Sequence, residues 1–96
     1  MWIIITYDVS TETAGGRRRL RKMARVCTDY GQRVQKSVFE CSVNQAQYEK
    51  LRQKALKYIN EEEDSLRFYH MQEPREKYVE EFGCKKVIDF DDLLIV

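Results

Sequence analysis

The feature that most constrains this chain is a near-continuous apolar run over residues 2–9, which reads WIIITYDV. Its β-branched and aromatic residues favour extended structure. Because apolar and polar residues do not alternate, the run predicts a strand that is covered on both faces and is therefore central in its sheet. Asp8 lies at the C-terminal end of this strand, and residues 10–16 form a polar loop with two glycines.

Two amphipathic helices are predicted from apolar residues that recur at three- and four-residue steps. The first spans residues 17–30, and Gly31 is a suitable C-terminal stop. The second spans residues 45–60 and follows Asn44, a residue type that caps helix N-termini well. The acidic segment 61–64 is predicted to be a solvated loop.

The remaining segments predict strands and one short helix. Residues 32–43 are extended, either as one bent strand or as two short ones, and the pattern leaves both arrangements open. Residues 65–71 alternate and predict a further strand, and residues 75–82 predict a short helix closed by a glycine. The apolar end at residues 93–96 predicts an additional C-terminal strand, which we expect to pair because an isolated edge would be exposed.

If the middle stretch splits in two, the element order is the β-α-β-β-α-β pattern of a ferredoxin-like sandwich, in the α+β class. With 96 residues, the chain forms one domain over residues 1–96. A chain this short buries a modest fraction of its surface, so pairing with a second copy would add useful burial.

Cysteine usage and hydropathy indicate the cellular compartment of the protein. The three cysteines are odd in number and form no C-x-x-C pair, which argues against a disulfide framework or a zinc knuckle and favours small buried residues. No apolar run approaches the roughly 20 residues of a membrane span. No basic segment precedes the first apolar run, as it would in a signal peptide. We expect a cytoplasmic protein that is not associated with a membrane.

The charge is unevenly distributed along the chain, although the net value is only +1. Residues 17–36 contain eight basic residues and one acid, which gives +7, and the rest of the chain carries −6. A solvated helix face is one interpretation of this segment. The other is a surface that contacts phosphates, which gives affinity without reading base sequence and weakens with salt.

Four segments, taken in order, resemble the CRISPR-associated proteins of the Cas-two family. They read WIIITYDVS (2–10), GRRRL (16–20), YGQRVQKSVFEC (30–41) and DSLRFY (64–69). Each alone is weak, but together, at these spacings and in a chain of this length, they are specific. The resemblance extends over nearly the whole chain and is closest to the branch that accompanies type I-C CRISPR systems.

The resemblance implies a ferredoxin-like fold and a two-fold dimer whose C-terminal strands pair or exchange. It also implies a role beside the Cas-one integrase in capturing foreign DNA as new spacers. Some members of the family are metal-dependent endonucleases on RNA or double-stranded DNA, and in others the role is structural. The family's key acid ends the first strand, which is Asp8 here, and its neighbour is Tyr7.

The resemblance and the charge pattern together assign candidate site residues. Asp8 and Tyr7 are predicted to be catalytic, and Asp8 is also predicted to bind the metal. Nucleic-acid contacts are predicted for Arg17, Arg18, Arg19, Arg21, Lys22 and Arg33. Dimer contacts are predicted for Phe39, Leu94, Ile95 and Val96.

Hydrolysis of a phosphodiester needs an activated water and neutralisation of developing charge, which a hard divalent ion supplies. We expect Mg²⁺, with Mn²⁺ as an alternative, because Mg²⁺ prefers oxygen ligands and keeps several waters. A two-fold axis near Asp8 would bring in the same residue of a second chain. The alternative interpretation of Asp8 is an exposed acid that caps the following loop.

Two functions from different classes remain open at this point. One is a metal-dependent endonuclease centred on paired Asp8 residues. The other is a non-catalytic scaffold that bridges copies of the Cas-one integrase and holds double-stranded DNA on its arginines. The substrate of the first function is DNA or RNA, and double-stranded DNA or single-stranded RNA is the expected partner.

Overall fold

A computed structural model describes residues 1–84 of the chain. Its elements are β1 (Trp2–Asp8), α1 (Ala14–Tyr30), β2 (Gln32–Gln35), β3 (Val38–Ser42), α2 (Gln45–Tyr58), β4 (Ser65–Met71) and α3 (Arg75–Tyr78). The extended stretch at 32–43 is therefore two strands, and the strand predicted over 65–71 is confirmed. The predicted C-terminal strand, with Leu94, Ile95 and Val96, lies outside the described residues.

The four strands form one antiparallel sheet in the order β2-β3-β1-β4. The first strand lies inside the sheet, hydrogen-bonded to β3 on one side and to β4 on the other, as its apolar run predicted. Both long helices pack against one face, which makes the architecture a mixed α+β layer pair. No helix within residues 1–84 is long and apolar enough to cross a bilayer.

The core lies between this face and the helices. Alternate residues of β1, namely Ile3, Ile5 and Tyr7, meet the paired side chains of β3 and β4 there. The helices add further buried side chains: Met23, Val26, Cys27, Leu51 and Ala55. This alternation follows from the two-residue period of a strand, which sends successive side chains to opposite faces.

The other face of the sheet is only partly covered, so the prediction of two-sided burial for β1 is half right. Ile4 and Thr6 are half-buried and Asp8 is exposed. Trp2 is buried at 5% exposure, and it lines a cleft with the segment 73–76 that follows β4. Arg75 in that segment forms an ion pair with Glu40 of β3. Within residues 1–84, the segment after β4 covers one end of this face and no element covers the end near Asp8.

Side-chain caps define where both long helices begin. The Thr13 hydroxyl accepts from the Gly16 amide at 3.0 Å, so α1 starts at Ala14, three residues before the predicted boundary. Asn44 caps α2 as predicted, within a capping box completed by Gln47. Each cap satisfies amides that have no partner inside the helix.

Gly31 ends α1 as predicted, but the physical reason is different. Its backbone is extended, not left-handed. A Cβ at this position would collide with the Cys41 sulfur and the Glu40 carbonyl of β3. The glycine is therefore required by the close approach of the helix end to the sheet.

We predict that Gly31→Ala destabilises the protein by about 1–3 kcal/mol, because the added methyl overpacks a close backbone contact. Gly15→Ala is the matched control, since its Cβ would meet only side-chain atoms at 3.7 and 3.8 Å. That variant should gain stability, by about 0.5–1 kcal/mol, from the helix preference of alanine. Urea unfolding measures both, and equal effects of the two substitutions would contradict the close-approach explanation.

The cysteines divide into two kinds, which corrects the expectation that all three are buried. Cys27 and Cys41 are buried, and Cys84 is exposed. Burial raises the pKa of Cys27 to about 12, with a further contribution from Cys41. Burial likewise raises the pKa of Cys41 to about 11. The two core thiols are therefore protonated and inaccessible at neutral pH.

We predict that one thiol per chain reacts quickly with an aromatic disulfide reagent at neutral pH, and that this thiol is Cys84. Cys27 and Cys41 should react only after unfolding, because the thiolate is the reactive form. Labelling followed by intact-mass measurement counts the modified thiols. A Cys84→Ser control should lose the fast reaction, and fast labelling of a second site would overturn the assignment.

Candidate functional site

Asp8 is the exposed acid at the end of the central strand. It pairs in register with Ser65, the first residue of β4, and its side chain points to the open face of the sheet with that of Thr6. Within residues 1–84, no hydrogen bond reaches its carboxylate. The strand therefore presents an accessible carboxylate on a rigid element.

The backbone that follows Asp8 is held on three sides. Val9 is buried in the core at 6% exposure. The Ser10 amide donates to the Asp64 carboxylate at 3.1 Å. Gly16 in the first turn of α1 lies so close to the Ser10 carbonyl that any side chain there would collide with it. The loop between β1 and α1 is therefore fixed at its start.

Asp64 is the largest departure from the sequence-based expectation of a solvated loop. Residues 61–63 are exposed as predicted, but the Asp64 side chain has no exposed surface. Its carboxylate accepts from the Arg19 guanidinium at 2.8 Å and from the Asn60 amide at 3.0 Å, besides the Ser10 amide. A run of four acids gave no signal that its last member is internal.

The electrostatic balance at Asp64 favours the charged form. Burial by itself would raise its pKa, but hydrogen bonds from Arg19 and from the amides of Asn60 and Ser10 outweigh burial and hold the pKa below its usual value. The carboxylate is therefore ionised at neutral pH. Its contribution to the free energy of unfolding is present above the ordinary carboxyl pKa and is lost as the pH falls through the lowered value.

Tyr7 lies on the opposite face of the sheet from Asp8. Its ring is in the core, stacked on Phe39 with centroids 6.1 Å apart, and its hydroxyl donates to the Lys36 carbonyl at 3.4 Å. Burial and the neighbouring Cys27 raise the pKa of Tyr7, against hydrogen bonds with Arg33 and Ser37. The structure does not bring the two predicted catalytic side chains together, and its placement of Tyr7 favours a packing role.

Phe39 is a core residue of the single chain, which corrects its assignment to the dimer interface. It has no exposed surface, because the register places it on the helix-covered face opposite Ile5. The Arg33 guanidinium lies over its ring at 5.0 Å. Arg33 lies on β2 and is half-buried, so its surroundings differ from those of the exposed arginines of α1.

The predicted nucleic-acid residues of α1 have different surroundings. Arg18, Arg21 and Lys22 are exposed, and the Lys22 ammonium lies 5.2 Å from the centre of the Tyr58 ring. Arg17 is exposed and donates to the Thr11 carbonyl at 3.1 Å. Arg19 is only 21% exposed in its side chain and is engaged by Asp64 and Glu63.

Two sets of cations near these residues were missed by the sequence reasoning. On α2 the exposed basic residues are Lys50, Arg52, Lys54 and Lys57, and the Lys54 ammonium lies 5.3 Å from the centre of the Tyr30 ring on α1. Arg67 of β4 is exposed, and it pairs with Thr6 on the same face as Asp8. The two-residue alternation along β4 could have predicted the sheet face on which Arg67 lies.

The donor set near Asp8 fits a hard cation only in part. Among residues 1–84, no group of three or more histidine, cysteine or acidic residues could hold a metal ion. Asp8 supplies one accessible carboxylate, and Asp64 has its oxygens occupied by hydrogen bonds. One carboxylate per chain suits Mg²⁺, which keeps most of its waters, provided that a second chain or the substrate adds oxygen ligands.

The fold and the site define a small α+β protein with an accessible carboxylate on a rigid strand end and exposed cations on both helices. Residues 1–79 match the family model described as CRISPR associated protein Cas2. The chain therefore belongs to the CRISPR-associated Cas2 family.

Curated relatives match over the whole chain. A protein of Moorella thermoacetica named CRISPR-associated endoribonuclease Cas2 1 is 59% identical, covering 100% of both chains. A Chlorobaculum tepidum protein named CRISPR-associated endoribonuclease Cas2 is 50% identical, again over 100% of both. A Halalkalibacterium halodurans protein named CRISPR-associated endonuclease Cas2 is 48% identical over 99% of each. All three names denote endonucleases.

Solved structures support the same fold. The crystal structure of Streptococcus pyogenes Cas2 at pH 6.5 aligns with a TM-score of 0.76 and 48% identity, covering 86% of this chain and 100% of that one. A hypothetical protein of Thermus thermophilus aligns with a TM-score of 0.71 and 30% identity, covering 88% and 93%. The fold of residues 1–84 is therefore similar to the folds of these proteins.

Proposed function

We propose that this chain is a metal-dependent endonuclease that acts in CRISPR spacer acquisition, in the cytoplasm, as a homodimer with the ferredoxin-like topology. The observation that carries this proposal is the accessible Asp8 carboxylate on the open face of the sheet, at the end of its central strand. The names of the relatives, which denote endonucleases, support the reaction class. The four segment matches support the type I-C branch.

The dimer is part of the proposed site, because residues 1–84 place one accessible carboxylate, that of Asp8, at this end of the open face. The open face also carries half-exposed apolar side chains, with Tyr69 at 42% and Met71 at 41% exposure, which a partner would cover. An isologous two-fold contact through this face would place two copies of Asp8 near the same axis. The proposed dimer thus completes the donor set that one chain leaves short.

When bound, Mg²⁺ would supply an activated water and neutralise charge on the reacting phosphate. The two Asp8 carboxylates would hold it. Arg67 lies on the same face, diagonal to Asp8 across the β1–β4 pair, where its guanidinium can contact a neighbouring phosphate. Arg18, Arg21 and Lys22 would hold the backbone farther away, which gives affinity without sequence preference.

Asp8→Asn tests the catalytic assignment, because it keeps the shape of the side chain and removes its charge. We expect metal-dependent cleavage to fall at least about 100-fold, the scale of losing a catalytic electrostatic group, while nucleic-acid binding is retained. Cleavage of double-stranded DNA and of single-stranded RNA is measured with Mg²⁺, with Mn²⁺ and with a chelator. Glu12→Gln, at an exposed acid in the following loop, is the matched control.

The comparison of double-stranded DNA with single-stranded RNA in these assays also identifies the substrate. The relatives named endoribonucleases favour RNA as the substrate, and the relative named endonuclease is compatible with either DNA or RNA. Full cleavage by Asp8→Asn in purified protein would refute the catalytic assignment.

The second candidate function is a non-catalytic scaffold that bridges Cas-one integrase subunits and holds double-stranded DNA. The observation that favours it is the single accessible carboxylate, since no group of three metal-ligating side chains occurs within residues 1–84. It uses the same cations of α1 and the same dimer. An absence of metal-dependent cleavage by the wild type, with duplex binding intact, would favour this function over the first.

Phosphate contact by α1 is tested through the salt dependence of binding. We expect Arg18→Ala and Arg21→Ala each to weaken double-stranded DNA binding and to reduce the slope of log affinity against log salt by about 1. Lys77→Ala, at an exposed cation on α3, is the control and should leave the slope unchanged. Fluorescence anisotropy titrations over a range of salt concentrations measure the slope, and equal slopes for all three variants would exclude this surface.

A further inference from the structure

We propose that Asp64 and Arg19 form an internal clamp that positions Asp8, so that Arg19 serves the site from inside the protein and does not bind nucleic acid. This inference rests on the proposed function, since it assigns a positioning role for the reaction at Asp8. Four observations on Asp64, Arg19 and their neighbours support this role.

The first observation is that two consecutive residues, Asp64 and Ser65, hold the backbone at Asp8 and two residues after it. Ser65 pairs with Asp8 across the β1–β4 ladder. Asp64 accepts from the Ser10 amide at 3.1 Å, two residues beyond Asp8. A shift of Asp64 would therefore pull on Ser10 and on the strand pairing at the same time. The direction of the Asp8 side chain depends on both attachments.

The second observation is that the Asp64 carboxylate is saturated. Oδ1 accepts from the Ser10 amide and from Arg19 Nη2 at 3.3 Å. Oδ2 accepts from Arg19 Nε at 2.8 Å and from the Asn60 amide at 3.0 Å. A carboxylate offers about four acceptor positions, and all are used. Asp64 therefore cannot also bind a cation, although it is next to the strand partner of Asp8.

The third observation is the bidentate geometry of Arg19. Its Nε and Nη2 contact the two oxygens of one carboxylate, which only the planar guanidinium can do. Its Nη2 also donates to Glu63 at 2.9 Å. Arg19 thus ties α1 to the loop before β4, and Asp64 connects that loop to the one after β1 through the Ser10 amide. Its side chain is 21% exposed, whereas Arg18 and Arg21 are exposed to solvent.

The fourth observation is the close packing of α1 on the same loop. Gly16 lies against the Ser10 carbonyl, with no room for a side chain. The Ser10 peptide unit is therefore held at its amide by Asp64 and at its carbonyl side by Gly16. A loop held this firmly keeps the preceding Asp8 in one geometry, and a misplacement of about 1 Å can reduce a reaction rate about 100-fold.

The experiment uses the full chain with Asp64→Asn, Arg19→Ala and Arg19→Lys, and the substrate that the wild type cleaves. We expect Asp64→Asn and Arg19→Ala to lower kcat by about 10- to 100-fold, with KM and nucleic-acid affinity within about twofold of wild type. Arg19→Lys should lower kcat as Arg19→Ala does, because an ammonium group cannot contact both carboxylate oxygens of Asp64. Glu62→Gln, an exposed acid in the same loop, is the matched control and should behave as wild type.

Two further readouts separate positioning from a general loss of stability. Assays are run at a temperature where urea unfolding shows each variant to be folded. If Asp64→Asn does not fold, Arg19→Lys takes its place in the test, because it keeps the positive charge beside Asp64. Hydrogen exchange at the Ser10 amide should become faster in the clamp variants and not in the control, because Asp64 is its acceptor. The same variants should leave the salt slope of DNA binding unchanged.

The outcomes distinguish this inference from the proposed function. If Asp8→Asn cleaves normally, the proposed function fails, and Ser10 exchange still decides whether the clamp exists. If Asp8→Asn is inactive while Asp64→Asn and Arg19→Ala turn over like the control, the positioning role is wrong. If Arg19→Ala lowers the salt slope as Arg18→Ala does, Arg19 contacts phosphate and the inference is overturned.

Discussion

The interior position of β1, hydrogen-bonded to β3 on one side and to β4 on the other, is the constraint on which the rest of the structure depends. Both long helices cover only one face of the sheet it forms. The strand therefore serves two environments at once. Ile3, Ile5 and Tyr7 are buried under the helices, and Asp8 at the end is left accessible on the other side.

The same strand connects the core to the candidate chemistry. Asp8 pairs with Ser65 of β4 and is followed by a buried valine, so its backbone is held where the strand ends. The clamp adds a charged, hydrogen-bonded attachment from α1 and from the loop before β4. The exposed cations on α1 and α2 remain separate from this attachment.

Local patterns predicted the elements well because local physics determines them. The two-residue period located β4, the capping chemistry of Asn44 located the start of α2, and β-branched content located β1. The errors concern contacts between distant segments. Phe39 was assigned to a dimer surface although it is in the core, and Asp64 was assigned to solvent although its side chain is buried.

The sequence by itself determined the strands and long helices, the alternation of side chains along each strand, the position of Asp8 at a strand end and the family. These follow from short-range periodicity, from residue preference and from motifs in order along the chain. Only the tertiary structure decided that Arg19 faces Asp64 across 45 residues and that the long helices cover the face of the sheet that carries Tyr7 and not the face that carries Asp8. Which faces meet depends on the folded packing of distant segments, since hydrogen bonds and burial there have no local signature.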